Sequence, residues 1–139
     1  MKDLEQHLLS SKQSKVLAET YDRTNYAEIN KNRAPEKPDS KMYTVELSIL
    51  KEYLKLIEDE MEKLGISEKG VRVTLGKYPN KSEDPKLDPK YLGYQTIFFS
   101  AVDLSNHAEK NSENTSTNSA RSTEDIPDMN YMHLTPPWE

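Results

Sequence analysis

Between Thr44 and Gly65 the chain reads TVELSILKEYLKLIEDEMEKLG, with apolar residues at Leu47, Leu50, Leu54, Ile57, Met61 and Leu64. Steps of three and four residues return to one side of an α-helix, so the spacing predicts a helix over 45–64 with an apolar stripe to bury. Ile49, Tyr53 and Leu56 widen the stripe. Thr44 is the expected N-cap, because its hydroxyl can accept a free amide hydrogen of the first turn. Glu46 follows near the positive end of the helix. Gly65 is the expected stop, since it takes the left-handed conformation at no steric cost. The stripe is shorter than the three or four heptads of a coiled coil, which favours a helix lying on a sheet.

Two later runs supply that sheet. Val71, Val73 and Leu75 alternate with Arg72 and Thr74, the pattern of a strand with one buried face. From Tyr94 to Val102 a second strand is expected. Its centre, Ile97-Phe98-Phe99, is apolar on both faces, as in a strand covered on both sides. Residues 42–44 are a candidate short third strand. The fold class is therefore α+β: one long amphipathic helix packed on a small antiparallel sheet built mainly from 71–76 and 94–102. An N-terminal helical segment and a long polar C-terminal tail complete the chain. Two strands alone are marginal. The sheet must gain area from residues 42–44, the C-terminal segment, the N-terminal helices or a second copy.

The organisation expected along the chain has four parts. Residues 1–41 form an N-terminal helical segment and linker, with Leu4, Leu8, Val16, Leu17 and Tyr21 at helical spacing and an interruption at Ser10-Ser11. Pro35 disfavours helix at the residue before it. Residues 42–102 are the α+β core. Residues 103–128 are polar, short in aliphatics and acidic on balance, which reads as a disordered linker. Residues 129–139 restore apolar character through Met129, Tyr131, Met132, Leu134 and Trp138, and are expected to dock on the domain they follow. Only 34% of the 139 residues are hydrophobic and 31% are charged, so part of the chain is expected to stay outside the core.

The middle of the chain also carries a resemblance. The helix rich in Leu and Tyr, the strand Gly70-Val71-Arg72 with Gly76-Lys77-Tyr78 at its end, and the strand with Thr96, Phe98 and Phe99 form a set with the late Pro136-Pro137 pair. Asn32-Arg33-Ala34-Pro35 matches the end of a leading helix. The set is similar to that of a group of small uncharacterised proteins of Bacteroidetes-type bacteria. It covers residues 42–102 and the rest more loosely. The resemblance implies a fold and a protein of unknown function. Relatives often carry cysteines around the Pro-Pro pair, and this chain has none.

Composition excludes several kinds of chemistry. Without cysteine there is no disulfide framework, thiolate metal site or cysteine nucleophile. Net charge is −5 and no basic stripe is present, which gives no support for nucleic-acid binding. No apolar run is long enough for a signal peptide or a membrane span, so a cytoplasmic protein without membrane attachment is expected. Gly70 to Tyr78 resembles a phosphate loop only superficially: five residues separate the glycines where four are needed, and Tyr78 stands where a Ser or Thr should reach magnesium. His7, His107 and His133 lack ligand spacing, and Glu58, Asp59, Glu60 and Glu62 diverge around a helix. No metal and no cofactor is expected.

Two readings of function remain. The first is a non-enzymatic protein-interaction module, meeting an unknown protein partner or a second copy through the long 77–93 loop and the aromatic tail. That loop is about three times the usual hairpin length. Tyr78, Leu87, Tyr91 and Leu92 are the residues able to pin it back. The second is a small ligand-binding protein or enzyme using a polar surface around Arg72, where an arginine could grip a carboxylate or phosphate. The candidate binding residues are Arg72, Thr74, Lys77, Tyr78, Tyr94 and Trp138. No catalytic residue is assigned.

Overall fold

Ser10 opens the longest helix of the N-terminal arm as its N-cap. Its hydroxyl accepts the Gln13 N–H at 3.1 Å while the Gln13 side chain accepts the Ser10 N–H at 2.8 Å, a reciprocal capping box. The interruption at Ser10-Ser11 is thus the start of a helix. In the computed structural model, which describes residues 2–105 and 122–137, the arm comprises α1 (Lys2–Glu5), α2 (Ser11–Tyr21), a π-helical turn (Asp22–Tyr26) and α3 (Ala27–Asn30). Helix α2 buries no residue.

The remaining elements are β1 (Met42–Thr44), α4 (Leu47–Lys63), β2 (Lys69–Lys77), a short 3-10 turn (Pro89–Tyr91), β3 (Gln95–Asp103) and β4 (His133–Thr135). The class is α+β with two small antiparallel sheets: β2 pairs with β3, and β1 pairs with β4. The candidate strand at 42–44 therefore builds a second sheet with the C-terminal segment and does not widen the first.

Helix α4 starts later than expected. Thr44 belongs to β1, and Glu46 is the N-cap without a side-chain bond to the first turn. The stop is as read from Gly65, whose φ is +75°. Its N–H donates to Glu62 O and that of Ile66 to Met61 O, each at 3.0 Å, so a Schellman pair satisfies two terminal carbonyls. Met61 and Ile66 also meet in the core, the apolar contact that usually accompanies this cap.

The face that α4 buries differs from the expected stripe. Tyr53, Ile57 and Met61 cluster with Ile66, Ala101 and Ile126, with Leu64, Phe99 and Met129 against them. Leu47 remains 66% exposed and Leu54 38%. The helix thus lies over β3 and the returning C-terminal segment, and its N-terminal apolar residues reach past the sheet. Burial of Ile126 also corrects the polar-linker reading at its far end: the segment from Ser122 belongs to the fold. At its near end Asp103 closes β3 and is buried, and residues 106–121 lie outside the described residues.

A second core forms at the other end of the main sheet. Tyr78, Leu87, Tyr91, Tyr94 and Leu134 are buried together, with Tyr43 and Leu92 beside them. The long loop is pinned by the four apolar residues its sequence offers. Leu134, fully buried, ties β4 into this cluster, and its N–H donates to the Tyr91 hydroxyl at 3.2 Å.

Candidate functional site

The outer edges of the two main strands differ. On β3, Phe99 exchanges both backbone hydrogen bonds with Met129 at 2.9 Å. The Asn130 side chain donates to Ile97 O at 2.6 Å, and the Asp39 carboxylate accepts the Gln95 N–H at 2.8 Å. That edge is covered. Because Phe99 points its backbone away from β2, its partner Val73 makes a non-hydrogen-bonded pair in the ladder. Alternation along the strand then puts the N–H and C=O groups of Lys69, Val71, Val73, Leu75 and Lys77 on the free side of β2. The bond from Tyr78 N–H to Tyr94 O at 3.0 Å fits this parity. Among the described residues, no other strand or segment pairs with this edge.

The side chains along this edge are also bare. Val71, Val73 and Leu75 are 43%, 55% and 71% exposed. They were expected to be the buried half of the strand. The correction has a simple cause: Val71, Val73 and Leu75 sit opposite Ala101, Phe99 and Ile97, and α4 covers the β3 side of that shared face. Between α4 and the start of β2 runs an open groove of about 290 Å³, lined by Leu54, Ile57, Glu58, Met61, Lys69, Gly70 and Val71. One signal of this exposure was available in the sequence. Lys69 and Lys77 share the parity of the three apolar residues, framing them with charges that a fully buried face would not carry.

The six candidate binding residues separate in space. Arg72 and Thr74 lie on the opposite face of β2, with Ser100 and Phe98 across from them. Arg72 and Lys77 are exposed and Thr74 half-buried. Tyr78 and Tyr94 are buried in the second core, where they bond each other just past β2, about 20 Å along the chain from Arg72. The Tyr78 hydroxyl bonds Asn130. The Arg33 guanidinium lies 4.4 Å from the centre of the Tyr94 ring and donates to Gly93 O at 3.0 Å. Both tyrosines thus hold the long loop and the arm in place. Trp138 lies outside the described residues.

A smaller cleft of about 150 Å³ opens beside the loop, with Tyr78, Lys86, Tyr91, Tyr131 and His133 among its walls. Tyr131 is held at φ +62° and donates to Asp84 at 2.5 Å. That bond raises the Tyr131 phenol above its ordinary range and lowers the Asp84 carboxyl below its own. Burial raises the Tyr91 phenol. The arrangement closes a latch between loop and C-terminal segment. Among the described residues, no cluster of three or more His, Cys, Asp or Glu is placed to hold a metal. Nor is any helix long and apolar enough to cross a membrane.

No protein-family model matches the chain, and no curated protein or solved structure matches it.

Proposed function

We propose that the chain is a non-enzymatic, intracellular protein-interaction module that takes an extended segment of another protein along the open edge of β2. One observation carries the reading: a nine-residue strand whose outer edge has no partner among the described residues also exposes Val71, Val73 and Leu75. An unpaired edge is a ready template for strand addition, with backbone bonds supplying affinity and alternate side chains supplying selectivity. The contiguous apolar strip beside it is the type of surface that marks an interaction site. The absence of cysteine suits an intracellular setting. This moves the contact surface from the long loop, whose anchors are occupied in the second core, to the strand before it. Arg72 stands on an exposed strand beside Thr74 and Ser100, a setting that favours a surface contact over a small-ligand pocket.

The test is comparative affinity capture from the cells that make the protein, using the natural chain and a Val73→Glu/Leu75→Glu variant. Both positions are exposed, so the variant should fold. Proteins held by the natural chain and lost with the variant support the reading. Proteins retained equally by both refute it.

A further inference from the structure

We infer that the segment accepted by the β2 edge is an extended acidic strand, with apolar residues on the face of Val71, Val73 and Leu75 and carboxylates on the other face, beside Arg72. The inference rests on the interaction reading and specifies the partner's chemistry.

Side-chain parity sets the apolar requirement. A strand added along β2 projects every second residue onto the face of Val71, Val73 and Leu75. At the Val71 end those residues reach the groove walled by Leu54, Ile57 and Met61. Charge sets the rest. Strand β2 reads KGVRVTLGK, with three cations and no carboxylate. Glu62 meets Lys69 at 2.8 Å, and Glu58 lines the groove at that same end. Arg72 and Lys77 are exposed and have no ion-pair partner among the described residues. Carboxylates are therefore favoured beside Arg72, on the face away from the groove, and Lys77 adds positive charge at the far end of the strand.

The same charges argue against a second copy on this edge. Antiparallel self-pairing about Val73 sets Lys69 against Lys77 at both ends, and pairing about Arg72 sets that residue against itself. Pairing about Thr74 avoids direct opposition but still lays two cationic strands side by side. Like charges across a ladder are destabilising, and edge lysines discourage self-pairing. Residues 106–121 are a poor match too, because they contain no apolar side chain larger than alanine.

The experiment titrates the full-length, isotope-labelled protein with a blocked seven-residue peptide alternating valine and glutamate. The same peptide with lysine for glutamate is the control. The glutamate peptide should shift the amide signals of Val71, Val73 and Leu75, slow their exchange, and bind at least about tenfold tighter than the lysine peptide. Arg72→Glu should reverse that order. Equal binding of the two peptides overturns the inference, as does no shift at millimolar glutamate peptide. A dimer in sedimentation with β2 amides protected before any peptide is added also overturns it, by giving the edge to a second copy. If capture still depends on Val73 and Leu75 while the glutamate peptide fails, the acidic chemistry falls and the interaction reading stands. If capture does not depend on them, the interaction reading itself falls.

Discussion

The Asp39 carboxylate accepts the backbone N–H of Gln95 across 2.8 Å, joining the end of the N-terminal arm to the first residue of β3. The same oxygen accepts the Ser40 N–H at 2.8 Å, and the Ser40 hydroxyl donates to Gln95 O. Asp39 and Ser40 are 5% and 0% exposed. Around them the Tyr26 hydroxyl donates to Asp39 O at 2.8 Å, and the Asn30 side chain accepts the Asp39 N–H at 2.8 Å. The linker expected within residues 1–41 thus ends in the joint that seats the arm.

Asp39→Ala leaves the Gln95 and Ser40 N–H groups without their acceptor. Each unsatisfied buried donor costs about 1–3 kcal/mol, so the variant should lose roughly 2–6 kcal/mol in urea unfolding. Asp39→Asn keeps an acceptor oxygen and should lose clearly less. Equal losses from the two variants would show that the negative charge matters more than acceptance of these bonds.

Helix α4 offers a test of which face is buried. Met61 is 1% exposed, and Met61→Ala should cost about 2–5 kcal/mol through lost packing and a cavity. Leu47→Ala, at a 66% exposed position, should stay within about 0.5 kcal/mol. Leu54→Asp, which the stripe alone would make unfolding, should melt much closer to the natural chain than Ile57→Asp, because Ile57 is 2% exposed. Thermal melts of the four variants decide the matter.

The Tyr131–Asp84 bond gives a pH dependence with two limbs. The Asp84 carboxyl is lowered by this bond, so its contribution is present above the ordinary carboxylate range and lost as pH falls through the folded value. The Tyr131 phenol is raised by the same bond, so its contribution is present below the ordinary phenol range and lost as pH rises through the folded value. Tyr131→Phe removes the hydroxyl and keeps the positive-φ backbone unchanged. The melting-temperature difference between natural chain and variant should be largest near neutral pH and vanish in strong acid and strong base. A difference that ignores pH would assign the effect to packing of the ring.

The parity of the β2 edge is visible in hydrogen exchange. Amides of Arg72, Thr74 and Gly76 point into the ladder with β3, and those of Val71, Val73 and Leu75 point outward. The inward set should exchange slowly and the outward set fast in the free protein. Slow exchange at Val73 and Leu75 without a partner would mean that something already covers this edge.

The local signals in the sequence translated directly into structure. Gly65 stops α4 because the left-handed turn favours glycine, and alternation at Val71, Val73 and Leu75 produces a strand because parity is a property of the backbone. Tyr78, Leu87, Tyr91 and Leu92 pin the long loop because a few apolar residues in a polar run have little choice but to find one another. Tertiary structure alone decided what lies above each face. Periodicity shows that Leu47 and Leu54 share a side with Ile57 and Met61, yet α4 faces the sheet through Tyr53, which leaves Leu54 38% exposed, and Leu47 at its start is 66% exposed. Ile126 enters the core from a polar stretch because the C-terminal segment returns beside β3 and under α4, which depends on where the chain runs in space. The open edge of β2 arises in the same way: Met129, Asn130 and Asp39 come from distant parts of the sequence to cover β3, and no described segment arrives at β2. Pairing a strand's outer edge is a long-range event, and hydrophobic period within the strand carries no information about it.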